Sequence, residues 1–178
     1  FTQVMGVAGV LGWATDGEGV LERNRWQGAT IADSSATEVP LLVIMLGGEE
    51  QVTQRSSLIA DSSDIGLAVS SVGPAKGGWQ GANLTIAGHG LEGLRSDNTG
   101  SGDHLLYNSL VFNNGVDVVV SNGTLTQGSN LVGSDPGCVS PANGYYQLAS
   151  SSLALEAGNN NPPGGLSTLD LGGEIRLQ

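Results

Sequence analysis

The chain repeats itself on the length scale of one supersecondary unit. Ala29-Thr30-Ile31-Ala32-Asp33-Ser34, Ser57-Leu58-Ile59-Ala60-Asp61-Ser62, Leu84-Thr85-Ile86-Ala87-Gly88-His89 and Ser109-Leu110-Val111-Phe112-Asn113-Asn114 are variants of one hexapeptide, and their central residues Ile31, Ile59, Ile86 and Val111 stand 28, 27 and 25 positions apart. A unit this short cannot bury its own apolar face. Copies must therefore stack, each covering the next, and the stack is a solenoid with the four anchors in one inward column.

The unit resolves into strands and corners. A second strand starts about eight residues beyond each anchor, at Leu67, Leu94 and Val119, and a third run precedes the anchor in some coils, as in Gln51-Val52-Thr53 and His104-Leu105-Leu106. Gly, Ser, Asn and Asp occupy the corners, where left-handed or tight-turn backbone is needed. With 29 glycines in 178 residues and Val, Ile, Leu, Ser, Thr and Asn in abundance, the composition suits short strands rather than helices. Equivalent strands of successive coils should pair about 4.8 Å apart in parallel sheets. The expected fold is an all-β parallel β-helix of about five coils with a loop-rich C-terminal cap.

One domain, 1–178, is expected, in three parts. Residues 1–23 read as an N-terminal cap or partial coil, 24–129 as the repeated coils and 130–178 as the cap region, where Pro136, Pro141, Pro162 and Pro163 break the repeat. Val4, Val7, Ala8 and Leu11 fall at helix-like spacing, but Gly6, Gly9 and Gly12 between them disfavour a helix by about 1 kcal/mol each. The same segment is too short and glycine-rich for a membrane span. A chain opening on Phe1 reads as a processed product or a fragment.

The C-terminal third carries a resemblance. Asp135-Pro136, Asn143-Gly144-Tyr145-Tyr146-Gln147-Leu148, Ser152-Leu153-Ala154-Leu155-Glu156-Ala157-Gly158-Asn159 and Asp170-Leu171-Gly172-Gly173-Glu174-Ile175-Arg176 occur in that order. The order resembles the end of bacterial right-handed parallel β-helix proteins with a choice-of-anchor Q domain, in which the motifs run DP, NGDYRL, SPAIDAGDN and DLDGNPR. The upstream repeats look like pectate-lyase-type coils. Tyr145, Gln147, Leu153, Glu156 and Gly172 depart from the family pattern. The resemblance implies a right-handed coil and a secreted or cell-surface location, and it implies no particular chemistry.

Charge and motif content narrow the function classes. Seventeen acidic and six basic residues give a net charge of −11, which opposes nonspecific attraction to nucleic acid or anionic lipid. Cys138 is the only cysteine, so no internal disulfide forms. His89 and His104 lack metal-ligand spacing, no nucleophile elbow occurs, and no residue is assigned a catalytic role. Asp33 and Asp61, at matching hexapeptide positions, would lie about 5 Å apart on one corner and are the candidate Ca²⁺ ligands, against a plain turn role for corner aspartates. Trp26 and Trp79 are the candidate sugar-stacking residues, against packing under a loop. Ser34, Ser62, His89 and Asn114 would form a further column, read as an inward hydrogen-bonded ladder. The expected function is a non-catalytic extracellular scaffold: a surface, structural or assembly protein that self-associates into filaments or adheres. The alternative is a carbohydrate-binding or polysaccharide-lyase-like protein acting on an extracellular glycan.

Overall fold

A computed structural model describes residues 3–4, 9–12, 18–27, 40–74 and 76–175. Strands follow one another in threes. The first rung comprises β1 (Gln3–Val4), β2 (Gly9–Gly12) and β3 (Glu18–Glu22), and the second β4 (Arg25–Gln27), β5 (Pro40–Leu46) and β6 (Gln51–Arg55). The third holds β7 (Leu58–Ala60), β8 (Ile65–Ser71) and β9 (Gly78–Ala82), and the fourth β10 (Thr85–Ala87), β11 (Glu92–Asn98) and β12 (His104–Tyr107). The fifth holds β13 (Leu110–Phe112), β14 (Val116–Asn122) and β15 (Leu125–Gly128), and β16 (Leu131–Val132) follows. Every third strand pairs in parallel, giving sheet 1 (β1-β4-β7-β10-β13-β16), sheet 2 (β2-β5-β8-β11-β14) and sheet 3 (β3-β6-β9-β12-β15). The result is an all-β parallel solenoid of about four turns. About five coils were expected; the five strands of sheets 2 and 3 are separated by only four steps.

Register decides which side chains meet. In sheet 1, Ile59, Ile86 and Val111 stack as expected, but the residue beneath Ile59 is Trp26, not Ile31. Ile31 lies outside the described residues. In sheet 2 the column runs Leu42, Leu67, Leu94 and Val118, one position earlier than the expected Val119. In sheet 3, Val52, Trp79, His104 and Leu125 align. The core forms where these inward columns converge, and Leu42, Ile44, Leu46, Ile59, Leu67, Ile86, Leu94, Leu106 and Val111 are buried in it.

The core also decides the fate of Trp79. Weighed as a sugar-stacking ring against a packed one, it is 0% exposed and belongs to the core cluster. The reason is local: a Cβ at Gly81, two residues on along the same face, would sit 2.5 Å from the Trp79 ring, so glycine leaves the space that the indole fills. Of Trp26 the backbone alone is described, in β4.

Corners repeat as strictly as strands. Arg23, Ser56, Asn83, Asn108 and Ser129 each stand three residues before the centre of a sheet 1 strand, with φ between 48° and 56°. Asp61, Gly88 and Asn113 follow β7, β10 and β13 with φ of 62°, 75° and 56°. A left-handed residue at these points turns the chain from one sheet into the next, which accounts for the recurrence of Asn, Asp and Gly there.

After β16 the chain changes character. β17 (Cys138–Ser140) and β18 (Tyr145–Leu148) form an antiparallel hairpin through the 3-10 turn Pro141–Asn143 and left-handed Gly144. The region is loop-rich as expected, but where a cap across the end was expected it lies along the flank of the solenoid. Gly144 abuts Gln27 on the second rung, Gly158 abuts Asn108 near the fourth, and Gly164 abuts Gln80 and Thr53. Gly165 then reaches Arg55 and Gly173 reaches Arg23. The segment is thus a strap that passes down, up and down the stack. The motifs that carry the family resemblance make its turns: Asp170 accepts from the Glu174 backbone N–H at 2.9 Å, and the Ser152 hydroxyl donates to the Pro136 carbonyl.

A polar side chain also sits in the core. Gln54 stacks between Leu21 and Gly81, is 0% exposed, and neither atom of its amide has a partner among the described residues. A buried amide left unbonded costs about 1–3 kcal/mol. Gln54→Leu is therefore expected to stabilise the protein by about that amount, read as a higher urea midpoint at unchanged slope. Trp79→Ala should instead cost about 3–5 kcal/mol in the same titration.

Candidate functional site

The most connected polar cluster joins the strap to the solenoid. Asp61, held at its corner by left-handed backbone, directs its carboxylate to the flank. Gln27, one rung below and next to Ala60 in register, donates from Nε2 to Asp61 Oδ2 at 2.7 Å. The Tyr146 hydroxyl, arriving on β18, donates to Asp61 Oδ1. Arg25 donates from Nε to Gln27 Oε1 at 2.8 Å and from Nη2 to the Gly144 carbonyl at 3.2 Å. One rung above, a Cβ at Gly88 would meet Asp61 Oδ1 at 2.6 Å and the Tyr146 hydroxyl at 3.1 Å, so the glycine leaves room for that bond. The Tyr146 ring packs edge-on against Phe112, centroids 6.2 Å apart. Burial, and then the Asp61 carboxylate, push the Tyr146 hydroxyl well above its ordinary pKa. The phenol therefore stays protonated and acts as a donor.

This arrangement bears on the Ca²⁺ expectation. Both Asp61 oxygens accept from protein donors. Asp33 lies outside the described residues. Among the described residues no three His, Cys, Asp or Glu side chains group as metal ligands.

The histidines are interior. His89 is 2% exposed, with Nδ1 at 2.7 Å from the Ser62 hydroxyl and Nε2 at 3.1 Å from the Ile59 carbonyl. A carbonyl only accepts, so Nε2 carries the proton and Nδ1 accepts from Ser62, whose backbone N–H also points to it at 3.3 Å. His104 is 1% exposed and bridges two strands of sheet 2, with Nε2 2.8 Å from Ser71 Oγ and Nδ1 2.8 Å from Ser96 Oγ. Desolvation lowers both pKa values, that of His89 to about 4, although the Ile59 hydrogen bond and Asp61 pull the other way. Both rings are neutral near pH 7.

Of the expected Ser34, Ser62, His89 and Asn114 column, Ser34 lies outside the described residues and the other three form such a ladder, since His89 N also donates to Asn114 Oδ1 at 3.0 Å. A second one was missed. Asn24 N donates to Ser57 Oγ at 3.4 Å, Leu84 N to Ser109 Oγ at 3.1 Å and Ser109 N to Asn130 Oδ1 at 2.9 Å. In both ladders the residue just past a left-handed corner offers its side chain to a backbone N–H one rung below. The sequence signal is a corner residue followed by Ser or Asn at the repeat period, as in Ser56-Ser57, Asn108-Ser109 and Ser129-Asn130.

The outer face of sheet 1 and the strap enclose a groove of about 1010 Å³. Leu58, Leu110 and Leu131 line it from the solenoid and Leu148, Ala154 and Leu171 from the strap. Its cation, Arg25, belongs to the cluster above. Arg95 is bound to Glu92 at 2.6 Å, and Arg55 faces Glu22 at 3.7 Å. No family model, curated protein or solved structure matches the chain.

Two tests follow from these bonds. The folded-state pKa of His89 lies below its value of 6.5 in the unfolded chain, so the unfolded state binds the extra proton between the two. Its contribution is complete above pH 6.5 and lost as the pH falls to about 4, a change of about 3 kcal/mol. Urea midpoints measured from pH 7 to 4 should fall less steeply in His89→Gln than in the parent. Tyr146→Phe, which removes one charge-assisted bond, should cost about 1.5–3 kcal/mol and expose the strap to limited proteolysis while the rungs stay intact.

Proposed function

We propose that the chain is a non-catalytic scaffold, an extracellular β-solenoid that serves as a surface or assembly element. One observation carries this reading: among the described residues, the side chains with the most chemical capability are spent on the fold. His89 and His104 have both ring nitrogens engaged inside the solenoid, and Asp61 has both oxygens occupied. Arg25 and Arg95 are held by Gln27 and Glu92. A lyase needs a base poised beside a bound cation, and a glycan platform needs exposed rings. Trp79 supplies no such ring. The resemblance of the strap motifs to the ends of exported β-helix proteins supports the extracellular location.

The test is biochemical. Incubation with acidic and neutral polysaccharides, with Ca²⁺ or with chelator, should release no unsaturated or reducing ends, and the melting temperature should not respond to Ca²⁺. Glycan cleavage, or a Ca²⁺-dependent rise in melting temperature, would overturn the scaffold reading. Antibody labelling of intact cells tests the location, and signal only after permeabilisation would contradict it.

A further inference from the structure

All three ladders end on three consecutive strands. β14, β15 and β16 each have a strand neighbour on one side only, and the chain beyond β16 leaves along the flank. The interior columns consequently surface here. Val120 and Val132 are each 42% exposed, whereas Ser96 and Val111, directly below them in register, are 0% exposed. Val116 on the same edge is 52% exposed. Unpaired backbone on three sides of a coil, around an uncovered apolar centre, is a template for another coil. A single added strand would satisfy one side.

Electrostatics says which coil. The chain carries a net charge of −11, so two copies repel over most of their surfaces. The rung 116–132 contains one charged residue, Asp117, whose carboxylate is turned back to accept from Asn114 at 2.8 Å. At the opposite end the edge strand β3 bears exposed Glu18 and Glu22. Setting that strand against the valines would strip water from two carboxylates, and joining the uncharged ends would not. We propose that the rung 116–132 is the docking face for a second copy of the chain, joined end to end about a two-fold axis perpendicular to the solenoid. That rotation reverses the sense in which the chain circulates. β14 then lies antiparallel to its own copy, and β15 lies opposite the copy's β16. A closed, isologous contact of this kind is the commonest form of homodimer. The proposal deepens the scaffold reading by naming its partner.

Sedimentation equilibrium over a wide concentration range should give twice the 18.0 kDa chain mass. Val120→Lys and Val132→Lys should each weaken association by about tenfold or more, the cost of burying a lone charge at the joint. Val20→Lys, on the edge strand β3 at the opposite end, should leave it unchanged. A second readout needs no variant: hydrogen exchange of the 116–132 amides should slow as concentration rises. A monomer at all concentrations, or exchange indifferent to concentration, overturns the proposal, and open-ended fibres overturn its two-fold form. A monomer that leaves polysaccharides uncut refutes the docking and spares the scaffold reading; a dimer that cuts them does the reverse.

Discussion

Everything in this molecule depends on bending the chain at the same two places in every turn. A strand cannot pass from one sheet to the next without a sharp corner, and among the described residues a single left-handed residue stands before β4, β7, β10, β13 and β16 and after β7, β10 and β13. Such a bend interrupts the regular ladder, because the N–H that follows it no longer meets a carbonyl one rung away. Ser57, Ser109 and Asn130 on one side, and His89 and Asn114 on the other, supply the missing acceptors from the rung above. The bend and its side-chain acceptor are one device. Without the acceptors each turn would bury unpaired backbone groups, at a cost of about 1–3 kcal/mol apiece.

That device explains which parts of the fold are legible in the sequence. Ile59, Ile86 and Val111 are recognisable because an apolar residue recurs two positions before an Asp, Gly or Asn corner. The same reasoning misplaces the lowest anchor, since Ala29-Thr30-Ile31-Ala32-Asp33-Ser34 matches the hexapeptide while the strand that stacks under β7 is Arg25–Gln27. Its preceding corner is Arg23, a residue type that does not announce a positive φ. The five-residue strand β9 offers no clear alternation either. Whether Trp79 faces in or out depends on the space above Gly81, which is a property of the packed core.

The candidate site was less legible than the fold for a related reason. Asp61 and Tyr146 lie 85 residues apart, and nothing in the period of the repeats predicts that a non-repeating tail will return to a particular corner. Corner carboxylates at a fixed spacing left an ion and a plain turn role open; at Asp61 an amide and a phenol donate to the two oxygens. The histidines illustrate the same point. Their spacing pointed to no metal site, and their register places them inside, where His89 bonds to Ser62 and the Ile59 carbonyl and His104 bridges Ser71 and Ser96.

The strap changes how such a stack holds together. In a simple solenoid each rung touches only its neighbours, so stability adds up locally and the ends can fray one coil at a time. Here a single segment is fastened to Asp61 through Tyr146, to Arg25 through the Gly144 carbonyl and to Asn108 through Asn159, and lies against Arg55 and Arg23 further on. Peeling away the top rung would disturb attachments that the bottom rung also uses. A one-dimensional array is thereby tied into a body that melts as a unit, with its weakest link at the seam between tail and flank instead of at either end.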